Sequence, residues 1–111
     1  MFIRCAYFTG KPVAGKEAAL KKSLQATLAA YMKFEKIRSV QLLIAKEHEE
    51  GAPNHYATLQ LCFDSEADLQ AALATPFRQE MRAHFVDNVF PLFEGVVKHI
   101  NCDVHELVET R

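Results

Sequence analysis

The sequence predicts an α+β domain of β-α-β-β-α-β order: an antiparallel four-stranded sheet with its helices on one face. Three observations carry that reading. Apolar residues fall in four short strand-like runs, they recur every three to four residues in longer segments between them, and Gly, Pro and Asn gather at the joints. The chain of 111 residues is 50% hydrophobic and 24% charged, which suits one globular domain spanning 1–111 with a single core.

Each element follows in order. "FIRCAYF" (2–8) is short and aromatic-rich, and the turn-forming "TGKPVAG" bounds it as a strand. In "KEAALKKSLQATLAAYMKF" (16–34), Leu20, Leu24, Leu28 and Tyr31 recur at helical spacing while Lys21, Lys22, Gln25 and Lys33 fall elsewhere, which makes an amphipathic helix. "IRSVQLLIAKE" (37–47) alternates as a second strand, and "HEEGAPN" (48–54) supplies a hairpin loop to a third at about 55–63. "DSEADLQAAL" opens a helix: Ser65 and Asp68 fit a capping box, and acids in the first turn suit the helix dipole. Pro76 should end or kink that helix near Thr75, after which "FRQEMRAHFVDNVF" (77–90) resumes with Phe77, Met81, Phe85 and Val89 on one side. "GVVKHINCDVHEL" (95–107) is the last strand. This order is the split βαβ, or ferredoxin-like, motif, and right-handed crossovers set the strands in the spatial order 4-1-3-2.

Composition excludes several functions. Net charge is −1 and no basic run or face is present, so nucleic acid is not an expected partner. No apolar stretch approaches the ~20 residues of a membrane span, and "MFIRCAYFTG" lacks the marks of an export signal, so the expected location is cytoplasmic. Cys5, Cys62 and Cys102 are odd in number, lie in strand-like segments and form no CxxC pair; buried free thiols are expected, not structural zinc.

Strand parity raises the question of assembly. Ala57, Leu59, Leu61 and Phe63 form one apolar face that suits the helices, which leaves Tyr56, Thr58, Gln60 and Cys62 on the other. In the first strand Ile3, Cys5 and Tyr7 oppose Phe2, Arg4, Ala6 and Phe8. Two helices cover one face only, so Phe2, Phe8, Leu43, Tyr56 and Val97 are expected to be exposed on the other, a larger apolar patch than soluble monomers usually carry. A second copy stacked sheet to sheet resolves this, and a homodimer through the sheet face is expected.

The element order, together with "LQLCFDSEADLQAALATP", resembles the dimeric α+β barrel superfamily. "FDSEADLQAALATP" (63–76) is most similar to EthD-like proteins, and "HFVDNVFPLFEGV" (84–96) is loosely similar to the segment leading into their last strand. The first helix has no His and looks more like the antibiotic-biosynthesis monooxygenases, while the absence of Trp separates the chain from the haem-degrading branch. The resemblance implies oxygenase, isomerase or cyclase chemistry on hydrophobic or aromatic compounds without a dedicated cofactor.

Candidate site residues come from the face expected to line the barrel. Arg4 should lie near Thr58 or Gln60 on one side and His99 or Asn101 on the other, and burial obliges it to find a partner or an anionic ligand. His99 is the candidate proton acceptor, Tyr56 and Gln60 are orienting donors, and Arg4 would stabilise an enolate or phenolate. Thr58, Asn101 and His84 are further candidate ligand contacts, while His48 and His55, flanking the loop, should be solvated. Metal is disfavoured: same-face strand residues advance ~6.7 Å per pair, so His99 and His105 stand roughly 20 Å apart. The other reading of the same residues is a non-catalytic ligand-binding or accessory dimer.

Overall fold

The computed structural model describes residues 1–110. Its elements are β1 (Phe2–Pro12), α1 (Glu17–Tyr31), β2 (Ser39–Ile44), β3 (His55–Phe63), α2 (Glu66–Leu73), α3 (Phe77–Asn88), a 3-10 turn at Phe90–Leu92 and β4 (Phe93–Asp103). The sheet is antiparallel with the order β2-β3-β1-β4, so the fold is the expected ferredoxin-like βαββαβ arrangement. The helix break at Pro76 also appears, since α2 ends at Leu73 and Pro76 caps α3. Ser65 Oγ accepts from the Asp68 amide at 3.2 Å, satisfying one of the free N–H groups at the start of α2.

Two elements differ from expectation. β1 runs past "TGKP" instead of turning there, because Gly10 and Gly95 face each other across β1 and β4. Both adopt a positive φ (141° and 153°), which only glycine accepts easily, and their backbones approach too closely for a Cβ on either. In α1 the buried stripe is Leu20, Leu24, Thr27 and Tyr31, with Leu28 only half-buried. Thr27 can sit inside because its hydroxyl donates to Ser23 O at 2.8 Å and lies 2.6 Å from His84 Nε2 on α3.

Register decides which side chains share a face. Arg4 stands opposite Leu61 and Asn101, Ala6 opposite Leu59 and His99, and Phe8 opposite Ala57 and Val97. These positions face the helices, and Phe2, Ala6, Phe8, Ala57, Leu59, Leu61 and Phe63 form one core with Leu20, Leu24, Tyr31, Leu69 and Met81. Phe2 and Phe8 are therefore core residues and Val97 packs against the core, contrary to the expected exposed patch. The open face is made instead by Ile3, Cys5 and Tyr7 with Thr58, Gln60 and Cys62, flanked by Leu43 on β2 and by Val96, Lys98 and Ile100 on β4. Leu43, Val96 and Ile100 are 42%, 54% and 54% exposed, so an uncovered apolar surface remains, in which Leu43 is the one residue of the expected set. Of the cysteines only Cys5 is buried; Cys62 is half-buried and Cys102 exposed.

A bulge interrupts β3. Phe8 pairs with Ala57 but Thr9 pairs with His55, which leaves Tyr56 as the extra residue. Tyr56 consequently packs toward the core against Phe93, with ring centroids 6.1 Å apart. His55 lands on the open face against the Tyr7 ring, at 4.8 Å, with Nδ1 3.0 Å from Thr9 Oγ1; it is half-buried, whereas His48 is exposed.

A side chain at the β1–β4 glycine pair should be poorly tolerated. Gly10→Ala places a methyl against the Glu94 carbonyl in a backbone conformation that alanine disfavours. A loss of roughly 2–4 kcal/mol is expected by urea denaturation; an unchanged midpoint would contradict the close approach.

Candidate active site

Between the helix-facing side of the sheet and α3 lies a cavity of about 430 Å³, within the usual range for small-molecule sites. Its floor is Arg4, Ala6, Leu59, Leu61, Val97 and His99 from the three strands β1, β3 and β4. Tyr31 and Phe34, at and beyond the end of α1, form one wall, and Arg78, Met81, Arg82, Phe85 and Val86 from α3 form another, with Phe90 at the edge. The walls are aromatic and aliphatic, and the basic side chains are set among them.

The charged groups in this setting perturb one another. Arg4 is half-buried, and its Nη1 donates to Asn101 Oδ1 at 3.0 Å. Burial lowers its pKa, and the nearby Arg78 lowers it further; a guanidinium nevertheless stays charged at any working pH. His99 stands exposed on the edge strand, at the margin of the cavity. Desolvation of its inner flank, then Arg4 and Arg78, pull its imidazole from 6.5 down to about 4, so it is neutral at pH 7 and free to accept a proton. The Tyr31 phenol is pushed well above its usual value by burial, an effect that Arg4 partly offsets, so it remains a protonated donor. The described residues hold no cluster of three or more His, Cys, Asp or Glu side chains suited to a metal ion.

The structure brings together some of the expected residues and separates others. Arg4 and His99 line one cavity, and Asn101 steadies Arg4 beside it. That cavity faces the helices and not a partner sheet, because the register sets Arg4 opposite Leu61 while Cys5 stands opposite Gln60. Thr58 and Gln60 are on the opposite face of the sheet and cannot meet Arg4. Tyr56, displaced by the bulge, reaches toward Phe93, and its buried hydroxyl has no hydrogen-bond partner. His84 ties α3 to α1 through Thr27, with its Nδ1 3.3 Å from Asn88 Nδ2, and it does not line the cavity. Since the Thr27 proton goes to Ser23 O, His84 donates from Nε2 and accepts at Nδ1.

Sequence reasoning missed Tyr31, Arg78 and Arg82. A signal for the two arginines was present: they stand at i and i+4 on one helix, and neither has an acid three or four residues away. Arginines so placed are spared the pairing that a solvent-facing helix normally provides.

No protein-family model matches this sequence, and no curated protein matches it. Solved structures do. An EthD family protein from Bacillus halodurans superposes with a TM-score of 0.70 at 12% identity, covering 94% of this chain and 99% of its own. SnoaB, a cofactor-independent oxygenase from Streptomyces nogalater, gives 0.66 at 16% identity over 98% and 97% of the two chains. A dimeric ferredoxin-like protein of unknown function from Thermobifida fusca gives 0.64 at 10% identity over 94% and 92%. The fold is thus the ferredoxin-like one these proteins share over nearly their whole lengths.

The depressed imidazole makes a stability prediction. The folded chain holds His99 neutral down to about pH 4, whereas an unfolded chain protonates it near 6.5. Between those values the unfolded state binds the extra proton, so this residue's contribution is present above pH 6.5 and is lost as pH falls toward 4. Urea midpoints measured across that interval should fall more steeply for the wild type than for His99→Gln. Parallel curves would show the imidazole to be unperturbed.

Proposed function

We propose that this chain is a homodimeric small-molecule-binding protein whose cavity takes a hydrophobic or aromatic compound, and that His99 accepts a proton from it. The observation that supports this most is the meeting of Arg4 and His99, a fixed cation and a neutral base, in one cavity whose remaining walls are aromatic and aliphatic apart from Arg78 and Arg82. At pH 7 the imidazole is wholly in the form that can accept a proton, and because its basicity is low the transfer from a phenol or from carbon next to a carbonyl depends on stabilising the anion that forms. Arg4 then faces the oxygen on which negative charge develops, in surroundings where water competes poorly. Tyr31 is the neighbouring hydroxyl donor.

In the oxidative version dioxygen is the oxidant and the bound enolate supplies the electrons. A methylene becomes a carbonyl as carbon gains one oxygen atom and the other leaves as water. SnoaB, with a similar fold, is a cofactor-independent oxygenase, which is consistent with this chemistry. One observation favours the non-catalytic reading: the His99 ring has no hydrogen-bond partner among the described residues to fix its orientation.

Freshly purified protein should retain a hydrophobic or aromatic compound detectable by mass spectrometry of its extracted small molecules. Where aromatic ketones with an enolisable ring methylene are consumed with dioxygen uptake, His99→Ala should lower kcat by about a hundredfold or more. Binding that survives with no turnover, and no loss on that substitution, would leave a carrier or accessory role.

Assembly through the open sheet face is the second part of the reading. Ile100, Val96 and Leu43 there are too exposed and too apolar to be left to water, and the Thermobifida fusca neighbour is a dimeric protein. Light scattering at micromolar concentration should give the mass of a dimer, and Ile100→Asp should shift it to the monomer. A monomeric wild type would refute this arrangement.

A further inference from the structure

The cavity also carries information about its ligand, on the premise that it is a ligand site at all. Its lining includes Arg4, Arg78, Arg82 and His99 but no Asp or Glu, in a chain with 14 acidic residues against 13 Lys and Arg. Among the described residues the ion pairs are Lys11–Glu94, Lys36–Asp68 and Arg38–Asp64, so no guanidinium of the cavity is neutralised. Arg4 spends one donor on a neutral amide, Asn101, and Arg78 makes no side-chain hydrogen bond. Arg4 and Arg78 line one cavity within electrostatic reach of each other, each with most of its five donors free, which suits a planar anion held between them. Holding like charges together at an apolar wall is unfavourable unless something of opposite charge joins them.

The geometry points to an amphipathic organic acid, bound as its carboxylate between Arg4 and Arg78, with its apolar body against Tyr31, Phe34 and Phe85. Each part of the lining then has a counterpart. The aromatic walls meet the hydrocarbon or ring system, the two forks meet the carboxylate, and Arg82 at the exposed side of α3 adds positive potential at the entrance. A bare inorganic anion would leave the aromatic wall unused, and a neutral hydrophobe would leave Arg4 and Arg78 uncompensated. Arg78 is accordingly the residue that selects acids over neutral molecules of equal shape.

A matched pair of probes separates these outcomes. Naphthalene-2-carboxylate and naphthalene-2-carboxamide are nearly isosteric, and their fluorescence can be followed against a chain that contains no tryptophan. At pH 7 the carboxylate should bind about tenfold or more tightly than the amide. Arg78→Gln should weaken carboxylate binding about fivefold or more without altering amide binding, the remaining preference being that of Arg4, and Arg78→Lys should weaken it less. Equal binding of acid and amide, untouched by Arg78→Gln, would overturn the acid assignment and leave the cavity as a neutral ligand site. Inorganic phosphate displacing the carboxylate at the concentration of the probe itself would overturn it too, since the apolar body would then contribute nothing. Failure of both naphthyl probes to bind would remove the ligand-site premise itself. The variants should melt no lower than the wild type, because the Arg78 side chain makes no hydrogen bond or ion pair and Arg78→Gln removes a charge that repels Arg4.

Discussion

The pairing of Arg4 with Leu61 on one side and Asn101 on the other is the constraint from which the rest of the site follows. β1 is a central strand, so its residues have no freedom to slip: a shift of one position would bring Phe2, Ala6 and Phe8 out of the core. The hydrophobic burial of those three holds the guanidinium under the helices. A charge in that position must be compensated or remain wet, and the chain supplies only the Asn101 amide. Arg78 faces the same cavity from α3, so a second positive charge is set in an apolar layer that already holds one.

The helical layer is uneven, and this is what leaves room. α1 buries four side chains and packs tightly at Leu20 and Leu24, while α3 buries only Met81. Pro76 separates α2 from α3, so the two pieces need not share an axis, and the His84–Thr27 contact then fixes α3 to α1. Held at that polar joint, at Met81, and by Phe77 and Phe85 packed on Phe34, Phe8 and Tyr31, α3 presents Arg78, Arg82 and Val86 to the cavity.

Periodicity was enough to read the fold. Alternation in four segments, helical spacing in the others, the Ser65 cap and Pro76 each have a local cause, and together they admit one strand order. Which face of the sheet each strand turns to the helices was less legible. β3 was read correctly because Ala57, Leu59, Leu61 and Phe63 are uniformly apolar. β1 was ambiguous: both of its parities are apolar, and Arg4 on the inward one argued for the wrong side. The bulge at Tyr56 has no marker in sequence, since neither glycine nor proline announces it, yet it reverses the side to which Tyr56 and His55 point. Arg78 and Arg82 were visible only as an unpaired i, i+4 couple, and no helix pattern says what lies across from it.

Because strand residues alternate, the two faces of this sheet are not independent devices. Arg4 is followed by Cys5 and His99 by Ile100, so each cavity residue is bonded to a residue of the open face. Covering Ile100 and Val96 with a second copy would damp the motion of β4, an edge strand with most of its side chains exposed. The strand that carries the candidate base would then be held by its opposite face. In a monomer β4 pairs with β1 alone and is anchored to the core only by Phe93 and Val97, so the separation of His99 from Arg4 would vary with fluctuations of that edge. The proposed assembly on one side of the sheet would therefore be a means of fixing geometry on the other.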